Sequence, residues 1–281
     1  MFEQSQQPPT GAEKLAKNWK TTIWYLFQVE VHVYAFSMAA NILLSFFPFM
    51  IVMVSLCRYV FEWPAAEDAI FLALREYFPD PLGSFIRRNL NATVMSRGPF
   101  QAVSVLLLLY TANGIFEPLE VALNRAWGIA KNRSYFKNQL ISLGLIFLCG
   151  GFGLASAIFT GFSQELGPET GLAADTAFRV AVVPLTIILL FLIYWLLPNG
   201  KIPWKPIVPV AIVVGVLLEV LKYVNLITWP WLRAKLEMEY GPFVYSVTII
   251  LWGFLSSMLV LAGAEWSSRS RVARGELQSP P

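Results

Sequence analysis

The chain has few of the side chains on which enzyme chemistry usually depends. Its 281 residues include one histidine, His32, and two cysteines, Cys57 and Cys149. Zinc hydrolases and metal-dependent nucleases need clusters of histidine and carboxylate ligands, which one imidazole cannot supply. The sequence also has no G-x-x-x-x-G-K-[ST] phosphate loop and no G-x-S-x-G nucleophile motif. We therefore predict no catalytic residues, no metal site and no cofactor.

Charged residues are scarce as well. They make up 14% of the chain, against about 25% in a typical soluble domain, while hydrophobic residues make up 56%. The apolar residues form six runs, and a helix needs about 20 such residues to cross roughly 30 Å of hydrocarbon. The runs lack the alternation of barrel strands, and only helices or closed barrels can span lipid. We predict an all-α polytopic membrane protein whose six transmembrane helices cover residues 33–61, 99–119, 140–162, 178–197, 207–228 and 243–264.

One membrane domain accounts for most of the chain. Residues 1–32 are polar and predict a cytoplasmic tail with an interfacial helix, residues 33–266 hold the six spans, and residues 267–281 predict a disordered cytoplasmic tail. The first apolar run is too long for the core of a cleavable signal peptide, so we expect a retained first span. Both cysteines fall inside predicted spans, which argues against a disulfide framework.

The distribution of lysine and arginine predicts the orientation. These residues are more frequent in the two tails and in the connections after the second and fourth spans than in the other connections. Positively charged connections stay in the cytoplasm, so both termini are expected there. Tryptophans close to the predicted span ends, where interfacial anchors belong, agree with this arrangement: Trp63, Trp127, Trp195, Trp204, Trp229 and Trp266.

The connection between the first two spans is long and divided by proline and glycine. Residues 66–78 and 82–94 predict two short amphipathic helices. Two interpretations stay open for them. The helices either rest on the outer membrane surface or cap the bundle, or they form a lid over an outward-facing cavity.

Polar residues inside two spans provide the candidate site. Tyr34, Ser37, Asn41, Ser45 and Pro48 share one face of the first span. The proline removes a helix hydrogen bond and predicts an opening or kink. Glu219 and Lys222 in the fifth span are three residues apart and can pair. A charge inside a span costs about 2.5–3.5 kcal/mol on insertion scales and usually faces protein or a wet cavity. The predicted cavity-lining residues are Asn41, Ser45, Pro48, Glu219 and Lys222.

The alternative for the charged pair is a structural ion pair that locks the bundle, or a Lys222 that extends to the interface. A second polar group lies at the inner end of the second span, where the candidates are Asn113, Glu117, Asn124 and Arg125, with Glu120 between them. This group is either a polar cluster or the cytoplasmic extension of the second helix.

Five motifs, in order over residues 15–267, resemble the YihY/BrkB family of bacterial inner-membrane proteins. They are Leu44-Ser45-Phe46-Phe47-Pro48, Leu123-Asn124-Arg125-Ala126-Trp127, Leu197-Pro198-Asn199-Gly200-Lys201-Ile202-Pro203-Trp204, Tyr240-Gly241-Pro242 and Gly263-Ala264-Glu265. The chain departs from the family at Val208-Pro209-Val210-Ala211, where Pro-Gly-Ala is usual, so no role of that glycine is carried over. The resemblance implies six spans, cytoplasmic termini, an inner (plasma) membrane location and no catalytic residues. Some members of the family were once labelled ribonuclease BN, a label generally regarded as mistaken.

Two functional hypotheses follow. The first is transport or export of a lipid-like or amphipathic solute, which the resemblance supports because a role in moving lipid-like molecules has been suggested for relatives. The second is a non-transporting membrane scaffold in envelope assembly, with a membrane hydrolase disfavoured. The expected partners are membrane lipids and not nucleic acid, while a homo-oligomer and envelope partners are left open.

Overall fold

The computed structural model describes residues 22–77, 82–95, 99–129, 134–165, 171–200 and 202–272. All regular structure in these ranges is helical, which confirms the prediction of an all-α fold. Residues 1–21 of the predicted N-terminal tail (1–32) and residues 273–281 of the predicted C-terminal tail (267–281) lie outside the described residues. Residues 22–26 form a short helical segment that ends just before the first long helix.

Eight helices longer than one turn follow in the described residues. They are α1 (Val29–Ser55), which continues as a π-helix (Leu56–Val60), α2 (Pro64–Tyr77), α3 (Leu82–Met95), α4 (Pro99–Ala126), α5 (Tyr135–Glu165), α6 (Gly171–Leu196), α7 (Ile207–Tyr240) and α8 (Val244–Val272). A 3₁₀ turn (Gly241–Phe243) joins the last two. Helix α8 thus extends into the segment predicted as a disordered tail. The hydroxyls of Ser267 and Ser268 bond to backbone carbonyls one turn earlier.

Four stretches of the described chain are long and apolar enough to cross a membrane, judged by length and composition. They are Val29–Val60, Phe136–Ala155, Ile207–Tyr240 and Val244–Arg269. Helix α6 contributes a shorter apolar segment, Val183–Leu196. The chain is therefore a helical membrane protein, whereas the count of six spans stays a prediction for α4 and α6.

The long helices pack around α1, which contacts α4 on one side and α8 on another. Helix α7 lies between α6 and α8, and α5 lies between α4 and α6. Small residues allow this close contact: a Cβ atom on Gly253 of α8 would lie 3.4 Å from the Ala39 backbone of α1. Because lipid tails are as apolar as the helices, such packing, rather than hydrophobic burial, holds the helices together.

The fully buried Tyr194 shows how a polar group is accommodated in the centre. Its hydroxyl donates a hydrogen bond to the carbonyl of Val260 in α8, at 2.8 Å. Gly263 lies beside it, and a Cβ atom there would be 2.6 Å from Val214 of α7. The ring thus joins α6, α7 and α8, and its one polar atom is satisfied.

The connection after α1 does form two short helices, α2 and α3, as predicted. They pack against α1, and α2 also packs against α5. Their buried apolar residues form a cluster with the end of α1, to which Cys57, Ile70, Phe71, Ile86, Leu90 and Val94 belong. The two helices are therefore docked on the end of the bundle.

Candidate functional site

Asn41 lies in the contact between α1 and α4. Its side-chain Nδ2 donates a hydrogen bond to the Ser37 carbonyl at 2.9 Å. The amide group covers Gly114 so closely that a Cβ atom on this glycine would lie 2.6 Å from Nδ2. In the described structure, the Asn41 amide is thus used in helix packing.

Ser45 and Pro48 are both buried on the same helix. The Ser45 hydroxyl donates to the Ile42 carbonyl at 3.2 Å. Helix α1 continues past Pro48 to Ser55 as one helix. The irregular part comes later, in the π-helical turn of residues 56–60.

Glu219 lies in the contact between α6 and α7. Its Oε1 accepts a hydrogen bond from the Thr186 hydroxyl at 3.2 Å. One turn earlier, a Cβ atom on Gly215 would lie 2.8 Å from Ile187 Cγ1, so the two helices touch there. We call these four residues, Thr186, Ile187, Gly215 and Glu219, the α6–α7 seam.

The seam borders the surface of α7 that the bundle leaves uncovered. Val216, Val220 and Tyr223 are exposed, by 46%, 52% and 44%. Glu219 and Lys222 are half-buried between this surface and the core. A carboxylate is therefore held at the border between protein and the region that lipid occupies around a membrane helix.

The structure places the two halves of the predicted site in different contacts. Asn41 faces α4, and Glu219 faces α6. An apolar crevice with roughly 380 Å³ of empty space, part of it open to the surroundings, lies on the α8 side of α7. Its lining includes Val213, Leu217 and Trp266. Leu217 and Glu219 project in roughly opposite directions, because successive helical residues are about 100° apart.

The inner polar group is in part a buried cluster. The Asn124 Oδ1 accepts the backbone N–H of Asn199 at 2.9 Å, and its Nδ2 lies 3.4 Å from Glu120 Oε1. The side chains of Asn124 and Glu120 are almost fully buried. The cluster fixes the turn between α6 and α7 on the end of α4. Asn124 and Asn199 are far apart in sequence, and both occur in motifs that carry the family resemblance.

The other two described candidates of this group are at the surface. Glu117 is exposed. Arg125 is exposed too and forms an ion pair with Glu30 at the start of α1. Beside this pair, burial raises the pKa of Tyr25 to about 12; Tyr34 and Glu30 add to the shift and Arg125 opposes it. The side chain of Asn113 lies outside what the structure describes.

Two further polar contacts were not predicted from the sequence. Arg58, in the π-helical turn, forms an ion pair with Glu67 of α2 and also reaches Asn91 of α3. Glu265, nearly buried in α8, pairs with Arg269 and accepts a hydrogen bond from the Thr22 hydroxyl at 2.9 Å. Arg58 could have been found, because it is a cation inside the first predicted span.

Within the described part of the chain, no group of three or more His, Cys, Asp or Glu side chains is close enough to hold a metal ion.

Comparison with known proteins gives a family match over most of the chain. The family model described as virulence factor BrkB matches residues 26–280. A protein of Bacillus subtilis with the provisional name ribonuclease-like protein YfkH is 24% identical over 237 residues, which is 79% of this chain and 84% of that protein. A UPF0761 membrane protein of Pseudoalteromonas translucida is 24% identical over 248 residues, 84% of this chain and 80% of the relative.

Some relatives are much longer. A UPF0761 membrane protein of Acinetobacter baylyi is 28% identical over 198 residues, which is 68% of this chain but 45% of that protein. The chain thus spans about half the length of such relatives. No solved structure is significantly similar to it.

Proposed function

Since this chain belongs to the virulence factor BrkB family of membrane proteins, we propose that it transports or exports a lipid-like or amphipathic solute across the cell inner membrane. The observation that carries the proposal is the position of Glu219. A carboxylate in a long apolar helix is held at the α6–α7 seam by one hydroxyl and borders an exposed apolar surface. Ionisable residues inside membrane spans mark solute or ion pathways by default.

The seam offers both kinds of contact that an amphipathic molecule needs. Glu219 can accept hydrogen bonds from hydroxyl or ammonium groups of a solute, because its carboxylate has further lone pairs beside the one that Thr186 uses. The neighbouring Val216, Val220 and Tyr223 present apolar surface on the lipid side. A solute can therefore keep its apolar part in the bilayer while its polar group moves along the seam past Glu219 and Lys222. In this proposal, Asn41 shapes the α1–α4 contact that supports the path, and Ser45 and Pro48 lie buried on the same helix.

A deletion strain provides the test. The Glu219→Leu/Lys222→Leu protein should insert and melt close to wild type and yet fail to restore growth and lipid composition. The matched control is Arg233→Leu/Glu237→Leu, which removes another charge pair from α7, spaced i,i+4 with 3.6 Å between its charged atoms. This control should complement. Full complementation by the Glu219/Lys222 variant would reject the transport role of these residues.

The scaffold function is the second candidate, and a specific observation favours it. Asn41 and Asn124, two of the polar candidates, are both used in packing contacts between elements. If all polar groups serve only to join helices, the protein has no polar path for a solute and acts as a scaffold. Under that hypothesis, the Glu219/Lys222 double variant complements in proportion to its amount in the membrane.

The proposal includes no enzymatic activity. The expectation of no enzymatic activity rests on the single histidine and on the lack of hydrolase motifs in the sequence. The ribonuclease-like name belongs to the Bacillus subtilis relative. An RNA digestion assay with the purified protein tests the point, since RNA cleavage that follows the protein through purification would contradict it. We also propose that both termini lie in the cytoplasm. Membrane lipids are proposed as the main partners.

A further inference from the structure

We propose that α2 and α3 form a hinged lid on the end of the bundle, and that Arg58 is the latch that keeps it closed. We call these two helices, Pro64–Tyr77 and Leu82–Met95, the lid. The proposal concerns motion of the lid and does not depend on which solute, if any, crosses the membrane.

Three polar contacts of the described residues join the lid to the π-helical turn that continues α1. Arg58 forms an ion pair with Glu67 of α2, with Nε–Oε2 at 2.9 Å, and its NH2 group lies 3.4 Å from Asn91 Oδ1 of α3. The next residue, Tyr59, donates its hydroxyl to the Val94 carbonyl at 3.2 Å. Two consecutive side chains therefore bind both lid helices.

That turn is the one irregular turn of a long helix. Residues 56–60 are π-helical, and such turns in α-helices are frequent at functional sites. The wider turn is closed by a hydrogen bond from the Phe61 N–H to the Leu56 carbonyl, at 2.9 Å. A change between π-helical and α-helical hydrogen bonding here would rotate Arg58 away from Glu67.

A hinge lies directly after the latch. Among the residues that the structure describes, Glu62 is the one non-glycine residue with positive φ, 47°. This backbone region is uncommon for side chains other than Gly, Asn and Asp, and strained residues cluster in switch segments. Two residues later α2 begins, so a rotation about Glu62 moves the lid with little change in α1.

The lid and the end of α1 share a small apolar cluster. It includes Cys57, Ile70 and Leu90 and is distinct from the main core around Leu123 and Tyr194. Groups of residues with separate cores can open without global unfolding. The latch is also partly accessible to water, since 23% of the Arg58 side chain and 14% of the Glu67 side chain are exposed. Water can therefore replace the pair when it opens.

Cys57 is a native reporter of lid opening, because it is 1% exposed and lies in the lid cluster. In purified protein with Cys149→Ala, we expect slow maleimide labelling of Cys57 well below the melting temperature. Arg58→Ala and Glu67→Gln should each raise the rate about tenfold to a hundredfold, the range for a lost charge-assisted hydrogen bond. The exchanged pair, Arg58→Glu with Glu67→Arg, should return it toward wild type. Arg88→Ala, an exposed arginine on α3, is the matched control and should leave the rate unchanged.

A second reporter separates lid opening from general loosening. A cysteine at Leu261, which is fully buried in the main core, should stay unlabelled in every latch variant. Equal acceleration at Leu261→Cys and at Cys57, or no acceleration of Cys57 in either latch variant, would overturn the lid. Neither result would bear on transport at Glu219, which is measured separately.

Discussion

The Thr186 hydroxyl donates a hydrogen bond to the Glu219 carboxylate across the contact between α6 and α7, at 3.2 Å. This bond joins the two helices along the border between the buried face and the exposed face of α7. It also provides a hydrogen-bond partner for this half-buried carboxylate.

Replacing Thr186 with Val should separate stability from function. Hydrogen bonds between membrane helices average about 0.6 kcal/mol, so the melting temperature should change little. Transport should fall strongly, because the hydroxyl positions the carboxylate that the solute is proposed to bind. Thr186→Ser keeps the hydroxyl and is the control. An active Val variant would show that the bond serves packing alone.

Gly114→Ala should destabilise the protein by about 1–3 kcal/mol, because the added methyl group would overlap with the Asn41 amide. Gly151→Ala is the matched control, since a Cβ atom there meets nothing within 4 Å. Alanine in an open helical position gains up to about 1 kcal/mol over glycine. Thermal unfolding in detergent measures both.

The companion variant Asn41→Ala should recover part of the stability lost in Gly114→Ala, because it removes the overlapping amide. If Gly114→Ala melts at the same temperature as Gly151→Ala, the described contact between α1 and α4 is wrong.

Asn124→Asp tests the buried inner cluster. The new carboxylate can still accept the Asn199 N–H, but it loses the amide donor and stands beside Glu120. We expect a loss of about 2 kcal/mol or more at neutral pH, because a second charge is buried next to the first. The loss should shrink in acid, where protonation of one carboxylate removes the repulsion. Glu117→Gln, at an exposed position of α4, should change the melting temperature little at either pH.

The orientation prediction is tested by reporter fusions. Fusions after Trp63 and after Glu165 should report outside, and fusions after Lys131 and Arg271 should report inside, because the connections rich in lysine and arginine stay in the cytoplasm. A C-terminus that is found outside would contradict an even number of spans with both ends in the cytoplasm.

The helices could be predicted from the sequence, because apolar runs of membrane length are decisive signals. Their ends could not. Helix α7 continues to Tyr240, beyond the predicted end at residue 228, since Leu, Arg, Lys, Glu and Met are good helix formers even where hydropathy falls. Hydropathy reports the solvent around a helix, whereas propensity and capping decide where it stops.

The partners of the polar residues could not be predicted from the sequence. The spacing of Glu219 and Lys222 predicts that the two can pair within one helix, and this pairing stays a prediction. The described bond from Thr186 on another helix could not be read from that spacing. Asn124 and Asn199 are 75 positions apart, and their contact depends on how α4 and the turn before α7 meet. Such contacts follow from packing, which periodicity along one helix does not determine.

The most direct test of the central claim is transbilayer movement of a lipid probe in proteoliposomes. Wild-type protein, the Glu219→Leu/Lys222→Leu variant and the Arg233→Leu/Glu237→Leu control are reconstituted at equal amounts with a fluorescent phosphatidylethanolamine, and the fraction open to an external quencher is followed over time. The account predicts that wild type and control move the probe faster than empty liposomes, while the Glu219/Lys222 variant stays at the background rate. Movement by that variant at the wild-type rate, or none by wild type, would contradict it.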